Sequence, residues 1–348
     1  MTELWKKWTA VVPAPFLTAL LLGASYLGFV AWEQSHWWLT LSDYSFGWLV
    51  PLFVVFVVHD RWPKITAAIG ACAAPGSPRA GGWKGALART AATGALVGGG
   101  LLFFIGAASR AGAGSAPAHT LAVSLGASVL LLSTLFVSAP EPDGPTSVVG
   151  RLAGDARVRL VALFVFPALV WLVSAPLVSV VQQKLSLLLL GWVTRAVFFV
   201  FDVLGLAVQR DGNVLTLPEV LPGQQNQVGV AEACSGIRSF TACLFAGSFL
   251  AAVFLDRMWK KIALVASAVI FAFGMNILRA LFLTAWAYNY GEHSMEEKVH
   301  DIAGFAVLGL TVVGLLCLLP IFNLKLSFRQ HDGRKTPTPF PTRGGGPA

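Results

Sequence analysis

Three side chains of this chain are suited to covalent catalysis: two open apolar runs and the third lies within one. Cys234 lies in AEACSGIRSF, with Glu232 before it, Ser235 beside it and Arg238 four residues on. Arg279 lies in FGMNILRALFLTAWAY with Asn276 three residues ahead, and His300 lies in EKVHDIAGF. A thiol at its ordinary pKa is mostly protonated near neutrality, but a helix N-terminus and a nearby cation both favour the thiolate. Cys234 has both: it opens an apolar helix, and Arg238 shares its helix face. An imidazole such as that of His300 can serve as base to a thiol and then as acid to a leaving amine. A guanidinium such as that of Arg279 keeps its proton and can stabilise the oxyanion of a tetrahedral intermediate in a poorly hydrated site. Together the three groups suit cleavage of a peptide bond through a thioester.

Each residue also has a structural reading. Cys72, Cys243 and Cys317 read as small buried hydrophobes, a role also open to Cys234. Arg238 can snorkel to an interface, Arg279 can pair with a carbonyl or carboxylate, and His293 and His300 can be loop histidines. A metal site from His293, Glu296, Glu297 and His300 lacks the His-Glu-x-x-His pattern and is set aside, so no metal or cofactor is expected.

The elements that position these groups are membrane helices. Of the 348 residues, 56% are hydrophobic and 12% charged, and the mean hydropathy is +0.70. The net charge of +8 comes from short clusters between apolar runs, which argues for orientation in a membrane and attraction to anionic lipid rather than for nucleic acid. The four cysteines have no zinc-type spacing. Apolar runs at about 11–32, 46–58, 91–108, 121–139, 160–175, 235–255, 262–288 and 302–322 predict an all-α polytopic membrane protein with about eight spans. The second is short unless it starts nearer Tyr44.

With the N-terminus inside, Arg61, Lys64, Arg79, Lys84 and Arg89, then Arg151, Arg157 and Arg159, then Arg257, Lys260 and Lys261 fall on the cytoplasmic side, as does the basic tail. Glu33, Asp43, Arg110 and the acidic loop YNYGEHSMEEKVHD fall outside. Both termini are then cytoplasmic, and Cys234, Arg279 and His300 meet the same outer face of the plasma membrane. The stretch 180–209, with Lys184, Arg195 and Asp202, is expected to be an interfacial or re-entrant helix. A small extracytoplasmic cap at 207–233, a β-hairpin by its turn signals, leads to Cys234. The chain thus divides into an N-terminal membrane region (1–176), with a flexible cytoplasmic loop at 70–82, a catalytic membrane region (177–325) and a disordered basic tail (326–348).

EACSGIRS, then NILRA within the next long span, then HDIAG opening the last span together resemble the exosortase/archaeosortase family of membrane cysteine transpeptidases. The strong resemblance covers 185–305. The upstream DYSFGWLVP (43–51) is similar to that family's early Tyr-x-His-Gly stretch, with Phe46 where a histidine is common. The resemblance implies Cys234 as nucleophile, Arg279 as transition-state stabiliser and His300 as proton-transfer residue, with Arg238, Ser235, Asn276 and Glu232 as candidate support. It implies substrates with C-terminal sorting signals of the PEP-CTERM type: a short motif, an apolar helix and a basic end. It further implies transfer to a surface glycan or lipid-linked acceptor, in keeping with exported matrix material. The alternatives are a transporter with Arg279 and His300 in a polar path, or a scaffold for an export system.

Overall fold

The computed structural model describes residues 12–219, 226–229, 237–255, 257–291 and 297–323. Helix α1 (Ala14–Thr40) is followed by a 3-10 turn (Ser42–Trp48), α2 (Leu49–Asp60) and α3 (Trp62–Ala73). Strand β1 (Pro78–Ala80), α4 (Gly82–Ala113), α5 (Pro117–Val137) and β2 (Ser147–Val149) come next, then α6 (Ala156–Ala162) and α7 (Val165–Ser174). The second half holds α8 (Ser179–Val203), β3 (Gln209–Asp211), β4 (Val214–Leu217), β5 (Asn226–Gly229), α9 (Ile237–Phe254), α10 (Met258–Tyr290) and α11 (Glu297–Asn323). Prolines stand in the first turns of α1, α3 and α5, where a missing N–H costs nothing. Gly114 and Gly291 end α4 and α10 at φ of 83° and 81°.

The protein is an all-α polytopic membrane protein with two small sheets: eight segments among the described residues are long and apolar enough to cross a membrane. The second of them runs from Asp43, so the 3-10 turn supplies the length that 46–58 lacked. The set differs from the expected one in two members. Ser179–Val203, expected as an interfacial or re-entrant helix, is a continuous helix of 25 residues that qualifies as a span; its buried residues run from Leu190 to Phe201. The run after Cys234 supplies a shorter apolar helix, Ser239–Phe254.

Two further expectations need correction. The loop at 70–82 is built structure: α3 runs to Ala73, and Pro78–Ala80 pairs in parallel with Ser147–Val149. Its cause is Asp155, which is fully buried and caps α6 by accepting from Arg157 N, while its other oxygen accepts from Ala80 N at 3.0 Å. Arg157 and Arg79 pair with the same carboxylate at 2.9 and 3.7 Å. The cap is a three-stranded antiparallel sheet, β3-β4-β5, rather than a hairpin. The stretch 326–348 lies outside the described residues.

The basic residues of the loops gather at one end of the molecule. Arg61 donates to Leu163 O and Ala252 O at 2.8 Å each, joining α3 to α6 and α9, and Lys84 donates to Gly150 O at 2.7 Å. Toward the other end α4 packs on α5 through glycines. A Cβ at Gly106 would stand 2.9 Å from Val123 N, and one at Gly126 would stand 2.6 Å from Phe103 N, so only glycine permits this approach.

Candidate active site

Arg279 sits in the C-terminal half of α10, on the helix face that turns toward α11. Its guanidinium lies against Gly304: a Cβ there would be 3.5 Å from Nη2 and 3.6 Å from Cζ. Gly304 follows His300 by one helical turn, so the two share a face of α11. The glycine of HDIAG therefore leaves space for the arginine. Asn276, one turn deeper on α10, is buried.

Helix α9 reaches the same depth. The tight connection after Phe254 makes α9 and α10 antiparallel, and they touch where a Cβ at Gly247 would stand 2.6 Å from Ala268 Cβ. From that contact, Ile237 lies about 15 Å toward the N-terminus of α9, and Arg279 about 16 Å toward the C-terminus of the antiparallel α10. The first turn of α9 is thus level with Arg279. Cys234, Ser235 and Glu232 lie outside the described residues, as do the side chains of Arg238 and His300, whose backbones open α9 and α11. His293 and Glu296 of the discarded metal site also lie outside them.

The 3-10 turn and α2 hold α9 in place, with aromatic residues of both packed against it. Phe46 stacks on Phe245 at 5.3 Å, Phe53 stacks on Phe245 and Phe249 at 5.3 and 4.1 Å, and Thr241 Oγ1 donates to Asp43 O at 3.3 Å. The turn is itself fixed by buried Tyr44, whose hydroxyl accepts from Leu177 N at 3.0 Å. Phe46 thus serves packing where relatives by resemblance carry a histidine. The cap packs on α10 and α8. Asn226 donates to Pro218 O and Ala287 O, both at 3.1 Å, and so ties β5 to the end of α10 just before the chain runs on toward Cys234. Leu215 and Leu217 of β4 pack with α8 and α10.

Sequence reasoning missed a buried polar network in the N-terminal helices. Glu33, placed in a loop by its charge, is fully buried in α1 and ion-paired with Arg110 of α4. It also accepts from Thr120 Oγ1 at 2.9 Å, and Trp37 Nε1 donates to that hydroxyl at 2.7 Å. Beside it Gln34 Nε2 donates to Ser124 Oγ and Trp171 O at 2.8 and 2.9 Å, and Gln34 Oε1 accepts from Ser174 Oγ at 2.7 Å. The only available signal was the period: Glu33 and Gln34 fall inside an apolar run that continues to Thr40. Cys72 and Cys243 are buried as expected, whereas Cys317 is exposed on α11 and faces outward from the helix bundle.

The family model for transmembrane exosortases matches residues 37–317. The chain belongs to that family, which gives it a general role as a membrane sorting transpeptidase acting on proteins that bear sorting signals. No curated protein and no solved structure matches the chain. The matched span takes in the 3-10 turn, Cys234, Arg279 and His300 together.

Proposed function

We propose that the protein is a cysteine transpeptidase that removes C-terminal sorting signals of the PEP-CTERM type at the outer boundary of the plasma membrane. The observation that carries this reading is the seating of Arg279 against Gly304, one turn below His300, at the depth of the first turn of α9. The basic end of the molecule faces the cytoplasm, so this level faces outward.

The substrate's apolar helix docks laterally and brings its motif to that level. The Cys234 thiolate attacks the scissile carbonyl carbon, and Arg279 stabilises the oxyanion that forms. As the tetrahedral intermediate collapses, the C–N bond breaks and His300 gives its proton to the leaving amine, so the helix with its basic end departs. The thioester is resolved by an acceptor amine of a surface or lipid-linked glycan, or by water, with His300 taking the proton released. Arg238 and the start of α9 favour the thiolate, and Ser235, Asn276 and Glu232 support the site. Confinement in the membrane raises the effective concentration of the motif at the thiol, so weak side-chain recognition suffices. Domain roles follow: 1–176 is the packing base and 177–325 carries the chemistry.

The test is co-expression with a reporter bearing a candidate signal from the same genome. Wild type shortens the reporter at a bond before its apolar helix; Cys234→Ala, Arg279→Ala and His300→Ala leave it at full length. Full processing by all three variants would overturn the reading.

A further inference from the structure

The indole of Trp286 presents a buried, unused donor beside this site. Its Nε1 has no hydrogen-bond acceptor among the described residues, although the atom is shielded from solvent. That is unusual for a shielded indole N–H, here on a half-buried ring, and unlike others in this chain: Trp37, Trp38 and Trp171 donate to Thr120 Oγ1, Ser174 O and Pro167 O. The ring is held by its own helix, 4.7 Å from Tyr290 and 6.0 Å from Phe282.

Its direction follows from helix geometry. Ala268, which meets Gly247 of α9, and Trp286 are 18 residues apart, which is five whole turns of an α-helix. Arg279 lies about 20° from the same line. The three residues therefore form one stripe on α10: Ala268 closes against α9, Arg279 lies at the level of the proposed chemistry, and Trp286 stands about 10 Å further out. An extended peptide covers that rise in about three residues.

We propose that Trp286 is a substrate-binding residue whose indole N–H donates to a main-chain carbonyl of the sorting signal, about three residues N-terminal to the scissile bond. This rests on the reading of the protein as a sorting peptidase. A main-chain acceptor fits the donor because every residue of an extended segment offers a carbonyl, and the flanking Tyr290 and Phe282 rings set the apolar surface on which it lies. The signal's body lies outside the membrane and its helix within it, so the segment passing Trp286 is the recognition motif itself.

The probe is a fluorescent peptide spanning the motif and helix of a reporter that wild type is seen to cleave. Its binding is measured to the full-length Cys234→Ala protein in lipid nanodiscs, with and without Trp286→Phe, which keeps an aromatic ring, smaller than the indole, and removes the donor. We expect binding about tenfold weaker with Trp286→Phe, the loss of one hydrogen bond; equal binding overturns the proposal. In the Cys234→Ala protein the indole ¹H–¹⁵N resonance absent from the Trp286→Phe spectrum moves downfield when the peptide is added. An unmoved resonance overturns the proposal even if the variant folds poorly. Failure of the underlying reading looks different: wild type then cleaves no peptide at all.

Discussion

The guanidinium of Arg279 rests on the backbone of Gly304, with room for one methyl group between them. This contact joins the last two helices where the proposed oxyanion would form, and it makes a graded prediction. Gly304→Ala places its Cβ at ordinary van der Waals distance and should process a reporter within a few-fold of wild type. Gly304→Leu must displace the guanidinium, and a shift of about 1 Å costs on the order of 100-fold in rate. Processing kinetics on protein that elutes as folded check both; equal activity of the two variants would show that the contact does not position Arg279.

The buried Glu33–Arg110 pair predicts strong coupling. Removing one partner leaves a charge in an apolar setting, so Glu33→Leu or Arg110→Met should each destabilise by about 3–5 kcal/mol. The double variant should recover much of that loss, because two apolar residues strand no charge. Thermal melting of the four proteins in one detergent gives the cycle, and additive losses would contradict the pairing.

At the basic end, Asp155 predicts how stability follows pH. Burial alone would raise its carboxyl above the ordinary 3.8, but the Arg157 side chain and the N–H groups of Ala80 and Arg157 outweigh burial and hold it lower. A depressed folded value means stability that is complete above the unfolded value and lost as pH falls through the folded one. Asp155→Asn should therefore lower the melting temperature near neutrality and flatten the fall in stability through the acid range. An unchanged acid limb in this variant would contradict the assignment.

How much of this was legible in the sequence depended on the kind of signal. Apolar runs are long and self-reporting, so the helices stood out; Arg279 and His300 stood out because a charge or imidazole within such a run is costly. The packing of Gly304 on Arg279 was invisible, since HDIAG shows a glycine but not what approaches it. Glu33 was misplaced because its compensating arginine is remote in sequence, and only the fold of α4 against α1 brings the charges together. The ordered strand at Pro78–Ala80 was hidden by its prolines and glycines, which mark a turn but cannot reveal a buried carboxylate waiting 75 residues on. The aromatic support of α9 by Phe46 and Phe53 looked like ordinary hydropathy. The divergent Phe46 kept a place in the fold by stacking.

Acylation of Cys234 by the substrate is the step on which the proposed mechanism turns. Wild-type and Cys234→Ala proteins are mixed with a cleavable signal peptide, quenched in acid, digested and examined by mass spectrometry for a Cys234 peptide carrying the N-terminal fragment as a hydroxylamine-labile thioester, alongside the released helix. The account predicts that adduct and helix release in wild type, with neither in Cys234→Ala; release of the helix by Cys234→Ala at the wild-type rate would contradict it.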